Sequence, residues 1–514
     1  MKKSYFISTA IPYVNAKPHI GHALEYIQTD AMARYQRLLG KDVFFLSGTD
    51  ENSLKNVQAA EKTGVPVQQF VDEHYNYFYD FKDYLNVSFD DFIRTTEDRH
   101  VKGAQKLWSM FKQEDLVKKE YKGLYCVGCE AFYKEGDLVD GKCPDHKVEP
   151  EVVEEENWFF KLGNYQKELK KLIQDDVIKI IPEFRKNEWL AFVDRGLEDF
   201  SISRSQERAH GWGVKVPEDE EQIMYVWVDA LSNYITALDF ENEGELYQKF
   251  WKDCAERVHV IGKGIGKFHV LYWPAMLLSA GVNLPTEEFI HGYLTAEGEK
   301  ISKSLGNTVD PHEVVEKYGT DAVRYYLLGA VSPTQDGDFS IERFEEFYTA
   351  HLANGIGNLT SRILTMIEKY SEGKVPQVDI EICRVDREYK DYVFPQGFWQ
   401  CYEAEFEHFS FEHSIHFINQ WVREFDKLVS DEKPWEKAKA GEDISGLLYQ
   451  LAEGLRHIGL ALLPIIPESA TKILSSLGID VGKLESLDIE KEWGRLEPGM
   501  KVKKGDMLFP RLEK

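Results

Sequence analysis

Tyr5-Phe6-Ile7-Ser8-Thr9-Ala10, the segment His19 to Leu39, and Asp42-Val43-Phe44-Phe45-Leu46 together decide the fold. The outer two are short apolar runs of strand length, the pattern of strands covered on both faces. Between them Ile20, Leu24, Ile27, Ala31, Tyr35 and Leu38 keep helical spacing, and Gly40 closes the run. Pro12, Asn15 and Pro18 punctuate the loop that enters the helix. Strand, helix and strand in this order form the unit of a parallel, doubly wound sheet. Two later runs, Val258-His259-Val260-Ile261 before Gly262 and Phe289-Ile290-His291 before Gly292, read as further strands of the same kind.

With 514 residues the chain is too long for one core, so two to four domains are expected. Residues 116–222 break the alternation of strand and helix and are richer in cysteine, glycine and charge. They read as an insertion. After about residue 350 the pattern is helical. Ile415, Ile418, Trp421, Val422, Phe425, Leu428 and Val429 form one apolar stripe, and Leu447, Leu448, Leu451 and Leu455 begin another. The expected architecture is α/β: a doubly wound parallel (Rossmann-type) sheet split by an insertion, followed by an all-α bundle. The expected boundaries are 1–115 and 223–292 for the two halves of the sheet domain, 116–222 for the insertion, 293–354 for a connecting region, and 355–514 for the bundle.

Apolar residues make up 43% of the chain and charged residues 29%, ordinary values for a soluble protein able to bury large cores. The N-terminus runs directly into a strand pattern, and no apolar run reaches membrane-spanning length. Six cysteines, three of them clustered, point to a metal site in a reducing compartment, and hence to the cytoplasm. The net charge of -26 excludes a protein that coats nucleic acid through its bulk field. It leaves room for a nucleic-acid substrate met through a few local basic contacts, which act within about 10 Å.

His19-Ile20-Gly21-His22 opens the first helix, where free amides and the helix dipole favour phosphate, and Gly21 lets a nucleotide approach the backbone. Two histidines that merely cap the helix fit the same four residues. Gly298-Glu299-Lys300-Ile301-Ser302-Lys303-Ser304-Leu305-Gly306 is a glycine-bounded loop able to close over a triphosphate. Lys300 and Lys303 would then neutralise charge on the α-phosphate and the leaving pyrophosphate. Taken alone it is a solvated turn. Cys126-Val127-Gly128-Cys129, thirteen residues, then Cys143-Pro144-Asp145-His146 supplies three thiolates and an imidazole in two short hooks. That set closes a tetrahedron around one Zn²⁺ with no position left for water, a structural site (Cys126, Cys129, Cys143, His146).

The chain resembles the class I aminoacyl-tRNA synthetases, whose HIGH and KMSKS motifs match His19-Ile20-Gly21-His22 and Lys300-Ile301-Ser302-Lys303-Ser304. It is similar to the methionyl branch over nearly its whole length. That similarity includes Ala10-Ile11-Pro12-Tyr13, Tyr225-Val226-Trp227-Val228-Asp229-Ala230, Gly262-Lys263-Gly264-Ile265-Gly266-Lys267-Phe268-His269, and the cysteine–histidine knuckle. The resemblance implies attack of a methionine carboxylate on the α-phosphate of Mg²⁺-bound ATP, then transfer of the methionyl group to the terminal ribose of tRNA(Met), the initiator included. Such a reaction is positioning and charge stabilisation rather than proton transfer. Implied catalytic residues are His19, His22, Lys300 and Lys303, with Gly21 and Gly262 at the ATP.

Ile11, Tyr13, Trp227, Ala230, Leu231, Tyr234, Ile265 and His269 are implied to line the methionine side chain, and Asp50 to take its ammonium. A thioether suits aromatic walls, and a hydroxyl or imidazole donor aimed at sulfur would disfavour an aliphatic isostere. From spacing alone Trp227 and Tyr234 are equally core aromatics. Asn358 and Arg362, four apart on one helix face, and Trp435, in a loop after Pro434, are implied to read the anticodon by stacking and edge contacts. Spacing alone equally makes Trp435 bundle core and Arg362 a solvated charge. The roughly 100-residue insertion already holds the knuckle and leaves little room for a hydrolytic editing site.

Two departures stand out: Gly264 where the family pattern has Asp, and Asn52-Ser53 where it has His-Gly. Both are expected at the nucleotide pocket, where they put the ribose contacts in question. No appended nucleic-acid or dimerising module follows the bundle, so a monomer is expected. The competing readings are a smaller nucleotidyltransferase, against which the knuckle and bundle count, and a catalytically silent paralogue that binds tRNA or a protein, against which the intact histidines and lysines count.

Overall fold

The structure, a computed structural model, describes residues 2–128, 130–144, 147–296, 298–300, 308–378 and 396–512. Six strands build the central sheet: β1 (Ser4–Thr9), β2 (Asp42–Thr49), β3 (Asp91–Arg94), β4 (Lys179–Ile181), β5 (Glu256–Gly262) and β6 (Glu287–His291). All are parallel, in the order β3-β2-β1-β5-β6-β4. The chain therefore winds outward on one side of β1 and later on the other. Between β1 and β5 lies the switch point at which open sheets of this kind hold ligands.

The apolar runs are continuous because each strand feeds two cores. Tyr5, Ile7, Val43, Phe45, Val258, Val260 and Phe289 enter one. Phe6, Phe44, Leu46, Ile261 and Ile290 enter the other. Helix α1 (Ile20–Leu38) covers the first face, and α2 (Val226–Thr236) belongs to the second core. Gly40 adopts φ +85°, the left-handed turn that ends α1 and that glycine enters without strain.

The insertion contains a four-stranded antiparallel sheet built from Ala131–Tyr133, Leu116–Cys126, Glu151–Phe160 and Phe200–Ser201, in that spatial order. The range 116–222 is not all insertion, however. Its β4 pairs in parallel with β6 and forms the edge of the central sheet, so the chain revisits the sheet domain midway.

The C-terminal region is helical, with α3 (Thr320–Gly329), α4 (Asn358–Tyr370), α5 (Phe411–Glu432) and α6 (Ser445–Leu462) as its main members. Its apolar stripes share one core with the α1 face of the sheet rather than forming a separate one. Arg324 of α3 fastens the two. Fully buried, it lies 2.6 Å from Asp30 of α1 and donates to the carbonyls of Ile465 and Leu85 at 2.8 and 3.1 Å. Among the described residues no helix is long and apolar enough to cross a membrane.

Candidate active site

At the switch point the loop after β1 and the loop after β2 continue side by side, with Asp50 N donating to Pro12 O at 2.9 Å and Tyr13 bridged to Asp50. This pairing carries Asp50 past the carboxyl end of its strand into a cavity of about 390 Å³. Ile11, Tyr13, Asp50, Trp227, Ala230, Leu231, Tyr234, Ile265 and His269 all line it, and so do His19 and His22. Thus the residues assigned to an amino acid and the histidines assigned to a nucleotide open onto one space. Gly21 and Gly262 are backbone positions beside it rather than part of its lining.

The two histidines do cap α1. His19 Nδ1 accepts from Gly21 N at 3.1 Å, and His22 Nδ1 accepts from His19 N at 3.2 Å. The capping reading and the phosphate reading are compatible, because a neutral imidazole that accepts at Nδ1 carries its proton on Nε2. Burial, then His19 and His291, hold the His22 imidazole well below its ordinary pKa, so it acts as a neutral donor. Gly21 is needed for the cap itself: a Cβ there would lie 2.9 Å from His19 Cε1.

Lys300 ends the short strand Glu299–Lys300, and Ile301 to Asn307, including Lys303, lie outside the described residues. Both flanks of that segment are anchored. Gly298 N donates to Asp338 at 2.7 Å, Thr308 lines the cavity, and Ile20 N of α1 donates to Val309 O at 3.0 Å. The chain therefore returns from the lysine-bearing segment directly onto the first turn of α1.

The cavity collects buried polar atoms that have no hydrogen-bond partner among the described residues: Tyr13 Oη, Asp50 Oδ1, Trp227 Nε1 and Asn233 Oδ1. Buried polar atoms are nearly always paired, so such a convergence marks a ligand site. Burial pushes the Asp50 carboxyl well above the usual carboxylate range, and nearby Asp229 and Glu130 push it the same way. A cationic group placed there would pull that carboxyl back down and favour its charged form.

The aromatic wall is built by α2 and the helical segment Phe268–Ala280, whose first turn, Phe268–Tyr272, is a wide π-type turn of the sort often found at functional sites. Trp227 stacks on Phe268 with centroids 3.7 Å apart. His269 Nδ1 meets Ile265 O at 3.0 Å, and Tyr234 Oη lies 2.7 Å from His269 Nε2. Burial lowers the His269 pKa to about 4, so the ring is neutral. Its N–H serves Ile265 and the phenol proton serves Nε2. The expected donor toward sulfur does not come from this pair as found. Trp227 Nε1, which lines the cavity, is a donor of this wall without a partner among the described residues.

Sequence reasoning missed Glu25, which lines the cavity, accepts from Ala10 N at 2.9 Å and lies 2.8 Å from His291 Nε2. Asn52 and Ser53, expected at the nucleotide pocket, do not line this cavity. Asn52 Nδ2 donates to Asp229 at 2.8 Å and to Thr95 O at 3.0 Å. Ser53 caps the helix Leu54–Thr63. A second cavity of about 580 Å³, between the insertion and Phe268–Tyr272, adjoins the first and shares Trp227 and Ile265 with it.

Cys126 and Cys143 are both buried, Cys126 at the end of a hairpin strand and Cys143 in a tight turn closed by Lys147 N to Cys143 O. Cys129 and His146 lie outside the described residues. Asn358 is exposed, Arg362 pairs with Asp426, and Trp435 is 41% exposed. Trp435 does not sit in a loop: Lys433 turns the chain and Pro434–Ala440 forms a short helix against α4. The helix brings Trp435 to the element that carries Asn358 and Arg362, and its exposure removes it from the bundle core.

A doubly wound sheet split by an insertion, with a paired-imidazole cap on its first crossover helix facing an amino-acid-sized cavity, defines the class I tRNA synthetase frame. A family model described as tRNA synthetases class I (M) matches residues 5–151 and 137–364. The methionine–tRNA ligase of Caldanaerobacter subterraneus subsp. tengcongensis is 41% identical over 100% of this chain and 80% of its own length. That of Brucella suis biovar 1 is 42% identical over 95% of this chain and 94% of its own. Mycobacterium tuberculosis methionyl-tRNA synthetase in complex with methionyl-adenylate superposes with a TM-score of 0.91 at 38% identity, covering 99% of this chain and all of that one. The chain belongs to the methionine family of class I tRNA synthetases.

Proposed function

We propose that the protein activates L-methionine with ATP and transfers the methionyl group to the 3′-terminal ribose of tRNA(Met), initiator included. The observation that carries this reading is the single cavity in which a buried carboxyl with one unpartnered oxygen, an aromatic wall and the capped histidine pair meet. Asp50 takes the substrate ammonium, which supplies the missing partner of its Oδ1. Trp227, Tyr13, Leu231 and Ile265 surround the thioether, and Trp227 Nε1 is the donor available to sulfur. The methionine carboxylate then faces the first turn of α1. There the Nε2–H groups of His19 and His22 stabilise charge on the α-phosphate, with Lys300 and Lys303 neutralising charge on the phosphates and Mg²⁺ on the nucleotide. No protein group need move a proton in the activation step.

Zn²⁺ at Cys126, Cys129, Cys143 and His146 fits the donor set, three thiolates and one imidazole with no open position. Its contribution is to hold the knuckle of the insertion. The second cavity, reached past Trp227, suits the terminal nucleoside of the tRNA. Asn358, Arg362 and Trp435 suit the anticodon. The reading includes a cytoplasmic monomer.

Methionine-dependent exchange of pyrophosphate into ATP tests it. Exchange with methionine and not with leucine or isoleucine, followed by charging of tRNA(Met), is expected. Absence of exchange with every amino acid would leave a silent paralogue.

A further inference from the structure

We propose that Asn52 is a positioning residue of the amino-acid site: its side-chain amide clasps the segment carrying Asp50 to α2, the helix carrying the pocket wall, and so sets how long a side chain the site accepts. The inference rests on the methionine-activating reading above and concerns what holds the two ends of that pocket at one separation.

The pocket is assembled from elements far apart in the chain. Asp50 follows β2, whereas Trp227, Ala230, Leu231 and Tyr234 stand on α2. An amino acid held at its ammonium by Asp50 and at its side chain by that wall spans the gap between them, so the width of the gap selects for length. Asn52, two residues after Asp50, crosses it. Its Nδ2 donates to Asp229 Oδ2 in the first turn of α2 at 2.8 Å, and to Thr95 O, just past β3, at 3.0 Å. Other bonds hold the Asp50 segment to its neighbouring loops, Asp50 N to Pro12 O and Glu51 N to Thr95 Oγ1, both at 2.9 Å. The amide of Asn52 adds the tie to the wall.

The carboxylate that receives this tie is itself braced. Asp229 is buried, and its Oδ1 lies 2.6 Å from Nε2 of His100, a fully buried residue of the helix Asp98–Ser109. His100 Nδ1 lies 2.9 Å from Oγ1 of Thr236, the last residue of α2. His100 thus grips α2 at both its first turn and its end, and Asn52 joins the Asp50 segment to the same carboxylate. The arrangement also divides two neighbouring carboxyls between two tasks. Burial and, after it, the charge of Asp229 push the Asp50 carboxyl upward, so the pair is close. Both oxygens of Asp229 are engaged by His100 and Asn52, whereas Asp50 Oδ1 has no partner among the described residues. An ammonium is therefore directed to Asp50, with Asp229 kept as a structural anchor.

The test uses the full-length protein with its zinc. Exchange of pyrophosphate into ATP is measured with methionine and with ethionine, a thioether one methylene longer, for the parent and for substitutions at position 52. The parent should favour methionine in kcat/KM by about tenfold or more. In Asn52→Ala the KM for methionine should rise about tenfold, and the preference over ethionine should shrink by roughly threefold or more. The KM for ATP should stay within about twofold, a split that a general packing defect would not produce. Asn52→Asp, equal in size, carries the test should alanine fail to fold: it sets a carboxylate against Asp229 and should raise the methionine KM at least as much. Asn52→His, the residue of the family pattern, keeps a donor for Asp229 and should restore the methionine KM and the preference. Parental values in Asn52→Ala and Asn52→Asp, an equal rise in both KM values, no preference in the parent, or a histidine variant as weak as alanine would overturn the assignment. Exchange by the parent with methionine tests the underlying reading separately, so the two failures are distinguishable.

Discussion

Replacing Asp50 by Asn should weaken methionine binding and stabilise the free protein at the same time. Asp50 is 2% exposed, its Oδ1 has no partner among the described residues, and burial with Asp229 and Glu130 drives its pKa upward. Once methionine binds, the carboxylate pairs with a desolvated ammonium, and removing one member of such a pair costs about 3–5 kcal/mol. At 1.4 kcal/mol per factor of ten, the KM for methionine should rise by roughly 10² to several times 10³ while the KM for ATP changes little. In the free protein the effect has the opposite sign. A carboxyl whose folded pKa lies above its unfolded value contributes stability below the unfolded pKa and loses it as pH rises through the folded one. The gain of Asp50→Asn over the parent should therefore be small near pH 4 and grow toward pH 8, reaching about 1–3 kcal/mol. That amounts to a rise in Tm of roughly 1–3 °C for a chain of this length. Paired exchange kinetics and thermal unfolding at pH 5 and pH 8 read both halves. A methionine KM within about threefold of the parent, or a lower Tm at pH 8 than at pH 5 relative to the parent, would refute the reasoning.

His22→Ala should lower exchange by about 10² or more, through loss of a donor to the reacting phosphate, with methionine binding in equilibrium dialysis nearly unaffected. Arg324→Met should destabilise the protein by about 3–5 kcal/mol, since it leaves Asp30 buried without its α3 partner, and the loss should appear in urea unfolding. Arg34 and Arg324 hold the Asp30 carboxyl down to about 2, so the stability it supplies is present above the ordinary carboxylate pKa and should fade as pH falls toward 2. Trp435→Ala should raise the KM for tRNA(Met) about tenfold or more while exchange without tRNA stays at the parental rate. Cys126→Ser should reduce bound zinc, measured by elemental analysis, from about one per chain toward none.

The sheet was legible because its strands are buried on both faces. Runs such as Val43 to Leu46 and Val258 to Ile261 have no competing pattern, and the helix from Ile20 to Leu38 closes on a glycine with positive φ. β4 was not legible. Three residues carry too little periodicity, and its partner β6 lies more than a hundred residues later. The histidine pair could be found from its spacing, but not the fact that capping by Nδ1 fixes the tautomer. The role of Asn52 depends on the distant side chain that meets it, Asp229. No local pattern encodes such pairs. Trp435 escaped its expected loop because the turn at Lys433 adopts φ +44°, which a sequence pattern rich in Lys and Glu does not announce.

The most direct measurement is a crystal structure of the protein with a non-hydrolysable sulfamoyl analogue of methionyl-adenylate. The thioether should lie against Trp227 and Tyr13, the ammonium about 3 Å from Asp50, and the sulfamate beside His19 and His22. An analogue bound away from this cavity, or turned so that its ammonium faces the histidines, would contradict the assignment of amino acid and phosphate to opposite ends of one site.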